Sequence, residues 1–246
     1  MNDPGLKRTV FITGATSGIG SAVALKFAAE GWNIILHFNS SGPQFGELKR
    51  KLSGLNTQFQ FLKADFSSRS QLRTLSAKLD TLRIDSVVNN AGTCMVSKHF
   101  SELTLKDMND TFMVNSFAPM LLTSRIFMLM KERRFGRIVN ISSIAAKYGG
   151  SSFSMHYGCS KRALEGLTRT LAREGAECNV LVNTIRPGVI DTAFHRKFPK
   201  DLTKRIAMIP LRKMGVPGDI ADIAYYLGSD KNSFITNETI AISGGE

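Results

Sequence analysis

The sequence predicts an α/β protein built as one doubly wound, parallel sheet of seven strands with helices on both faces. Three observations predict it. Short runs rich in Val and Ile, lacking the polar alternation of a half-exposed strand, recur along the chain, as strands buried on both faces do. Longer segments between them carry apolar residues at helical spacing, and such a βαβ succession implies parallel strands with right-handed crossovers. At 246 residues, with 43% hydrophobic and 21% charged residues, the chain has enough apolar material for one core. No repeat, low-complexity tract or linker divides it, so residues 1–246 read as a single domain.

Taken in order, RTVFIT (8–13) is the first strand and runs directly into TGATSGIG, Thr13 to Gly20, where a helix begins at 18–30. Glycines at 14, 18 and 20 permit a tight turn and let the backbone approach a pyrophosphate, whose charge a helix N-terminus favours. NIILHF (33–38) and FQFLKA (59–64) are the next strands, with helices near 44–53 and 68–81. IDSVVNN (84–90) precedes a long helical segment at 104–131, and GRIVNIS (136–142) precedes another at 156–176. NVLVNTI (179–185), a helix near 218–229 and TIAIS (239–243) complete the pattern. The helix at 156–176 opens on YGCSK. Its Tyr157 and Lys161 are four residues apart and share one helix face. An ammonium there would draw the phenol below its usual pKa of about 10, making it a usable acid or base.

Composition narrows the function classes. The 32 Lys and Arg against 20 Asp and Glu give a net charge of +12, a bias toward acidic partners. The bases are scattered, the densest run being KERRFGR (Lys131 to Arg137), with no aromatic interleaving, so no nucleic-acid site is expected. Cys94, Cys159 and Cys178 form no CxxC pair and leave an odd count, which predicts neither a metal site nor a disulfide framework. MNDPGLKR contains no apolar leader, and no apolar run approaches the ~18 residues of a membrane span, so a cytoplasmic protein without membrane attachment is expected.

With these motifs in hand, the chain resembles the short-chain dehydrogenase/reductase family over nearly its whole length. The family's TGxxxGxG is matched by Thr13, Gly14, Gly18 and Gly20, and its NNAG by Asn89, Asn90, Ala91 and Gly92. Its active-site asparagine corresponds to Asn115, its serine to Ser143, its YxxxK to Tyr157 and Lys161, and its PG turn to RPGVIDT. The resemblance implies a Rossmann fold and hydride transfer between nicotinamide and a carbonyl. Tyr157 would protonate the oxygen and Ser143 would hydrogen-bond it. Lys161 would hold the nicotinamide ribose, and the backbone of Asn115 would hold a water linking Lys161 to solvent. Ser142 is the alternative to Ser143. The implied cofactor contacts are Gly14, Thr16, Ser17, Gly18, Ile19, Gly20, Asn39, Ser40, Asp65, Phe66, Asn90, Ala91, Gly92, Tyr157, Lys161, Pro187, Gly188, Ile190 and Thr192. Asp65 and Phe66 resemble the family's adenine-cradling pair, and the alternative for them is a plain helix cap. Two departures from the family pattern stand out: a Ser143–Tyr157 loop one residue longer than usual, and Asn237 in place of a glycine.

Cofactor choice is read at the end of the second strand, where an acid would select NAD. HFNSSG offers His37, Asn39 and Ser40, with no acid before Glu47, so NADP is expected, His37 or a nearby Lys adding charge; Ser17, where many NADP users carry a base, argues the other way. The C-terminal third resembles the 3-oxoacyl-[acyl-carrier-protein] reductase branch. That implies reduction of a 3-oxoacyl thioester in fatty acid biosynthesis, with Lys131, Arg133, Arg134 and Arg137 meeting an acidic carrier protein. A sugar or polyol dehydrogenase is the alternative within the enzyme class, and a non-catalytic dinucleotide sensor or scaffold the alternative outside it. Residues 191–210 are expected to form a substrate lid. The helices at 104–131 and 156–176 carry broad apolar faces, and the resemblance implies that they pair across a two-fold axis with a second interface at the C-terminal segment, giving a homotetramer that a single-chain mass in light scattering would refute.

Overall fold

Described over residues 7–196 and 201–246, the computed structural model carries seven parallel strands in the order β3-β2-β1-β4-β5-β6-β7. They are β1 (Thr9–Ile12), β2 (Asn33–Phe38), β3 (Phe59–Lys63), β4 (Ser86–Asn89), β5 (Gly136–Ile141), β6 (Val180–Pro187) and β7 (Thr239–Ile242). The order reverses beside β1, and an open α/β sheet binds ligands in the crevice at that switch point, outside the carboxyl ends of its strands. Every residue of β4 and β5 is buried, as the unalternating runs predicted. The edge strands β3 and β7 are only partly covered.

Helices α1 (Gly18–Ala29), α2 (Pro43–Ser53), α3 (Arg69–Leu79), α4 (Leu105–Phe112), α5 (Ala118–Glu132), α6 (Ala145–Tyr148), α7 (Met155–Gly175), α8 (Ala193–Arg196), α9 (Leu202–Ala207) and α10 (Pro217–Gly228) connect the strands. One core lies beneath α1, α2 and α10, where Phe27 meets Trp32 and Tyr225 edge-on at 5.2 and 5.1 Å. A second core joins α3, α5 and α7 to the other face through Leu72, Leu122, Ile126 and Leu164. The segment predicted as one helix at 104–131 is divided: α4, opened by a Thr104–Asp107 capping box, passes through a π turn at Met113–Phe117 into α5. By length and composition alone Leu105–Arg133 could cross a membrane. Its Ala118, Leu122, Ile126 and Met130 are buried in the second core, as in a core helix, while Phe117, Leu121 and Met128 are exposed.

The basic run is held largely by contacts within the chain. Arg137 is buried, its Nε donating to the carbonyls of Ser229 and Asn232 and its Nη1 to those of Gly136 and Asn179. Arg133 donates to Ile84 O, Arg134 donates to Glu177 O, and Lys131 lies 3.7 Å from Glu174. The three guanidiniums close carbonyls at or just before the starts of β4, β5 and β6 and in the loop that follows α10, while Lys131 faces a carboxylate. Asn237 adopts φ +65°, the left-handed geometry that asparagine tolerates in place of glycine. Of the expected 191–210 lid, residues 197–200 lie outside the described residues.

Candidate active site

The glycine turn between β1 and α1 is braced from β4. Thr13 Oγ1 accepts the N–H groups of Asn90 and Ala91 at 3.0 and 2.9 Å, and the Asn90 amide reaches Thr13 O, Gly14 O and Ser17 Oγ at 2.9, 2.9 and 3.1 Å. Ser17 caps α1, its hydroxyl accepting from Gly20 N at 3.1 Å, so a predicted cofactor residue is also the helix N-cap. Gly18 and Ile19 open the helix, where N–H groups lack intrahelical partners. Thr192 closes on this turn from beyond β6: a Cβ on Gly18 would lie 2.6 Å from its Cγ2. The PG turn is pinned beside it, Pro187 O accepting from Ile144 N at 2.8 Å and Gly188 N donating to Ile242 O at 2.9 Å. Ile190 is a core residue bridged to Gly215, its side chain turned inward.

At the end of β2, Asn39 and Ser40 are exposed, as a phosphate site needs. His37 is not available to add charge there. Its ring is 3% exposed, its Nδ1 faces Gly14 N at 3.2 Å and its Nε2 faces Ala64 O at 2.9 Å. Burial pushes its pKa down to about 4 against the opposing pull of Ala64 O and Asp65, so it is neutral at pH 7. Phe66 is also turned inward, its ring stacked on His37 with centroids 4.0 Å apart. Asp65 Oδ1 accepts from Ser67 N and Oγ at 2.8 and 2.7 Å. Of the expected adenine pair, the Phe66 ring is committed to the core and one carboxylate oxygen to the following turn.

The π turn supplies the asparagine. A π turn widens a helix locally and often marks a functional position. Here it buries Asn115 and Ser116 completely. Asn115 Oδ1 accepts from Thr93 N at 2.8 Å, and its Nδ2 donates to Thr93 O and Ser160 Oγ at 2.8 and 2.9 Å, tying the NNAG loop to α7. Lys161, 3% exposed, donates from Nζ to Ile141 O at 2.8 Å, and a Cβ on Gly92 would lie 2.8 Å from that nitrogen. Gly92, Asn115 and Lys161 therefore meet at the carboxyl ends of β4 and β5. Burial lowers the Lys161 pKa to about 8, leaving it mostly protonated at pH 7.

Ser143 stands close enough to Tyr157 to favour its phenolate. The sequence predicts that Lys161 draws this phenol below 10, but desolvation raises it to about 12, outweighing the influence of Ser143, with Cys94 adding to the rise. The ammonium is turned to a backbone carbonyl, and the phenol keeps its proton at neutral pH. Between the two candidate serines the geometry is clear. Ser142 is buried and donates to Glu165 Oε1 at 2.8 Å and Lys161 O at 3.3 Å, whereas the Ser143 hydroxyl accepts from Ala145 N at 3.1 Å and lies on the Tyr157 side. The longer loop is accommodated by its glycines: Gly149 and Gly150, at φ +80° and +85°, cross Gly158, where a Cβ would lie 2.5 Å from their backbone.

Two residues at the site carry no motif signal. Glu165 is 4% exposed and takes paired bonds from Arg186, 2.6 Å to each oxygen. Burial alone would raise its pKa, yet the bonds from Arg186 and Ser142 and the charge of Arg162 hold it below the usual carboxylate range. The pair fastens the PG turn to α7; Arg186 standing immediately before Pro187 was the available clue. On the opposite side, Phe194 of α8 lies over Tyr157 with ring centroids 5.8 Å apart, an aromatic cover contributed by the predicted lid.

A dinucleotide suits this constellation: an open helix start at a glycine turn, exposed amide and hydroxyl side chains past β2, and an ammonium among Gly92, Asn115 and Tyr157. Comparison with known proteins agrees. The short chain dehydrogenase family model matches residues 8–203. The acetoacetyl-CoA reductase of Shinella zoogloeoides is 34% identical over 98% of this chain and 99% of its own. A 3-oxoacyl-[acyl-carrier-protein] reductase of Thermotoga maritima is 32% identical over 97% of each chain. A 3-oxoacyl (acyl-carrier-protein) reductase structure from Agrobacterium tumefaciens with NADP bound superposes with a TM-score of 0.88 at 29% identity, covering 98% of this chain and 95% of that one. Because the family match runs from β1 through the Tyr157–Lys161 helix and these relatives align nearly end to end, the chain belongs to the short-chain dehydrogenase family of oxidoreductases, enzymes of nicotinamide dinucleotides.

Proposed function

We propose that this oxidoreductase is an NADP(H)-dependent carbonyl reductase acting on 3-oxoacyl thioesters. The observation that carries the reductive reading is the Tyr157 phenol, protonated at neutral pH, near Ser143 and one helical turn from the Lys161 ammonium. A bound dihydronicotinamide would supply the hydride. Tyr157 gives its proton to the carbonyl oxygen, Ser143 holds that oxygen, and the Lys161 charge favours the phenolate left behind. Lys161 also holds the nicotinamide ribose, and the backbone of Asn115 holds a water that returns the proton. Exposed Asn39 and Ser40, with no acid before Glu47, support NADP over NAD without any contribution from His37. The thioester class is supported by the names of the two relatives, both reductases of 3-oxoacyl thioesters.

The test is turnover of NADPH and of NADH by the purified protein with acetoacetyl-CoA and with a panel of keto sugars. NADPH oxidation with the thioester is expected, and Tyr157→Phe should lower turnover by about 10² or more while leaving NADPH affinity within roughly threefold, as for loss of a general acid. Turnover confined to keto sugars would overturn the substrate class. NADPH binding with no turnover on either set would favour the sensor or scaffold reading.

A further inference from the structure

His37 is the polar side chain near the cofactor crevice that the proposed chemistry leaves unused. Its surroundings fix its protonation. Gly14 N can only donate, so Nδ1 must present a lone pair; Ala64 O can only accept, so Nε2 must carry the hydrogen. The ring is thus a neutral Nε2–H tautomer, consistent with burial holding its pKa at about 4. It spans two segments that sit far apart in sequence and flank the crevice. On one side is the turn that opens at Gly14, itself at φ +62°. On the other is the end of β3, from Ala64 to Phe66, with the Phe66 ring stacked flat on the imidazole at an interplanar angle of 12°. The backbone of β2 joins the same junction, His37 O accepting from Ala15 N at 2.9 Å and Phe38 O from Ala64 N at 3.0 Å.

We infer that His37 is a positioning residue for the dinucleotide: its Nδ1 lone pair sets the Gly14 peptide in the pyrophosphate turn and registers that turn against the adenine side of the site at Ala64–Phe66. The inference rests on the cofactor reading above and adds a residue outside every motif that supports it. The physical reason is donor accounting. A half-buried Gly14 N–H without this acceptor would turn toward another partner or toward water, and either event moves the peptide that leads into the phosphate-facing helix start.

The two bonds can be separated by substitution. In His37→Asn the amide oxygen can occupy the Nδ1 position and keep the acceptor for Gly14; in His37→Gln the amide nitrogen can occupy the Nε2 position and keep only the donor to Ala64; His37→Leu loses both. Titration of NADPH into each purified protein should give a Kd raised roughly tenfold in His37→Gln and at least as much in His37→Leu, the scale of one lost hydrogen bond to a half-buried donor, with His37→Asn within about threefold of wild type. Turnover at saturating NADPH should stay within about twofold throughout, a split between affinity and rate that a general loss of structure would not produce. Equal NADPH affinity in all four proteins, or equal weakening in His37→Asn and His37→Gln, overturns the assignment. Should the variants fail to fold, nitrogen NMR of wild type decides: Nδ1 with the shift of a bare ring nitrogen and Nε2 with that of a protonated one are expected, and a protonated Nδ1 overturns it. Wild-type protein that binds neither NADPH nor NADH would overturn the cofactor reading instead, a result separate from the tautomer.

Discussion

Replacing Lys161 by Met should stabilise the cofactor-free protein while abolishing its turnover. Lys161 is a buried cation whose only described hydrogen bond is to Ile141 O, and burial alone moves its pKa from 10.5 to about 8. At ~1.36 kcal/mol per pK unit, holding the ammonium form in the fold costs about 3 kcal/mol at pH 7. Methionine fills similar space without a charge, and the variant loses the donor to Ile141 O, which gives back ~1 kcal/mol. The net expectation is a gain of about 2 kcal/mol, or several degrees in Tm at this chain length. The sign with pH follows from proton counting. Between about 8 and 10.5 the unfolded chain keeps a proton that the folded chain has lost, so wild-type stability from this group rises with pH, and the advantage of the variant shrinks toward zero near pH 9.5. Urea denaturation of both proteins at pH 7 and pH 9.5, without dinucleotide, measures it. A variant no more stable than wild type at pH 7, or a difference that is the same at both pH values, refutes the reasoning.

Two further outcomes follow from the same geometry. Asn39→Asp should lower the ratio of kcat/KM for NADPH to that for NADH by about tenfold or more, because a carboxylate at this exposed position repels a 2′-phosphate and accepts from a ribose hydroxyl; an unchanged ratio places discrimination elsewhere. Ser143→Ala should reduce turnover by about 10² through loss of the oxygen-binding hydroxyl, whereas Ser142→Ala should act on stability by ~1 kcal/mol through the bond to Glu165 and change turnover little. Equal kinetic defects in the two, measured beside their urea midpoints, would contradict the separation of the serines.

The sheet was legible because strands covered on both faces carry unalternating runs of Val and Ile, and β4 and β5, buried at every position, do so at their centres. The motif residues were legible because each chemical role ties a residue type to a strand end. The π turn was not, since one added residue in a helix leaves no periodic trace; the only hint was Asn115–Ser116 interrupting an apolar face. Helices α6, α8 and α9 have six residues or fewer, too short for periodicity to register. Burial by distant segments was not legible either: His37, Arg137 and Phe66 all lie inside the fold against partners far away in the chain. A phenol beside a lysine in sequence likewise says nothing of how deeply both lie, and here depth, not charge, fixes the direction of the Tyr157 shift.

That depth bears on why α7 carries an acid one turn beyond its lysine. Lys161 and Glu165 share a helix face at i and i+4 spacing, where opposite charges ordinarily attract. Had Glu165 turned to Lys161, the pair would have restored the lysine pKa toward its ordinary value and drawn the ammonium away from Gly92 and Ile141 O. Instead both Glu165 oxygens are occupied by Arg186, with Ser142 and Arg162 adding to them, and burial is the only influence on Lys161 that registers. A guanidinium matches a carboxylate in two parallel bonds where an ammonium makes one, so Arg186 outcompetes the lysine for the same anion. The clamp therefore does two things with one contact: it fixes the PG turn to α7, and it leaves the Lys161 charge uncompensated, at the place where a phenolate would form when Tyr157 gives up its proton.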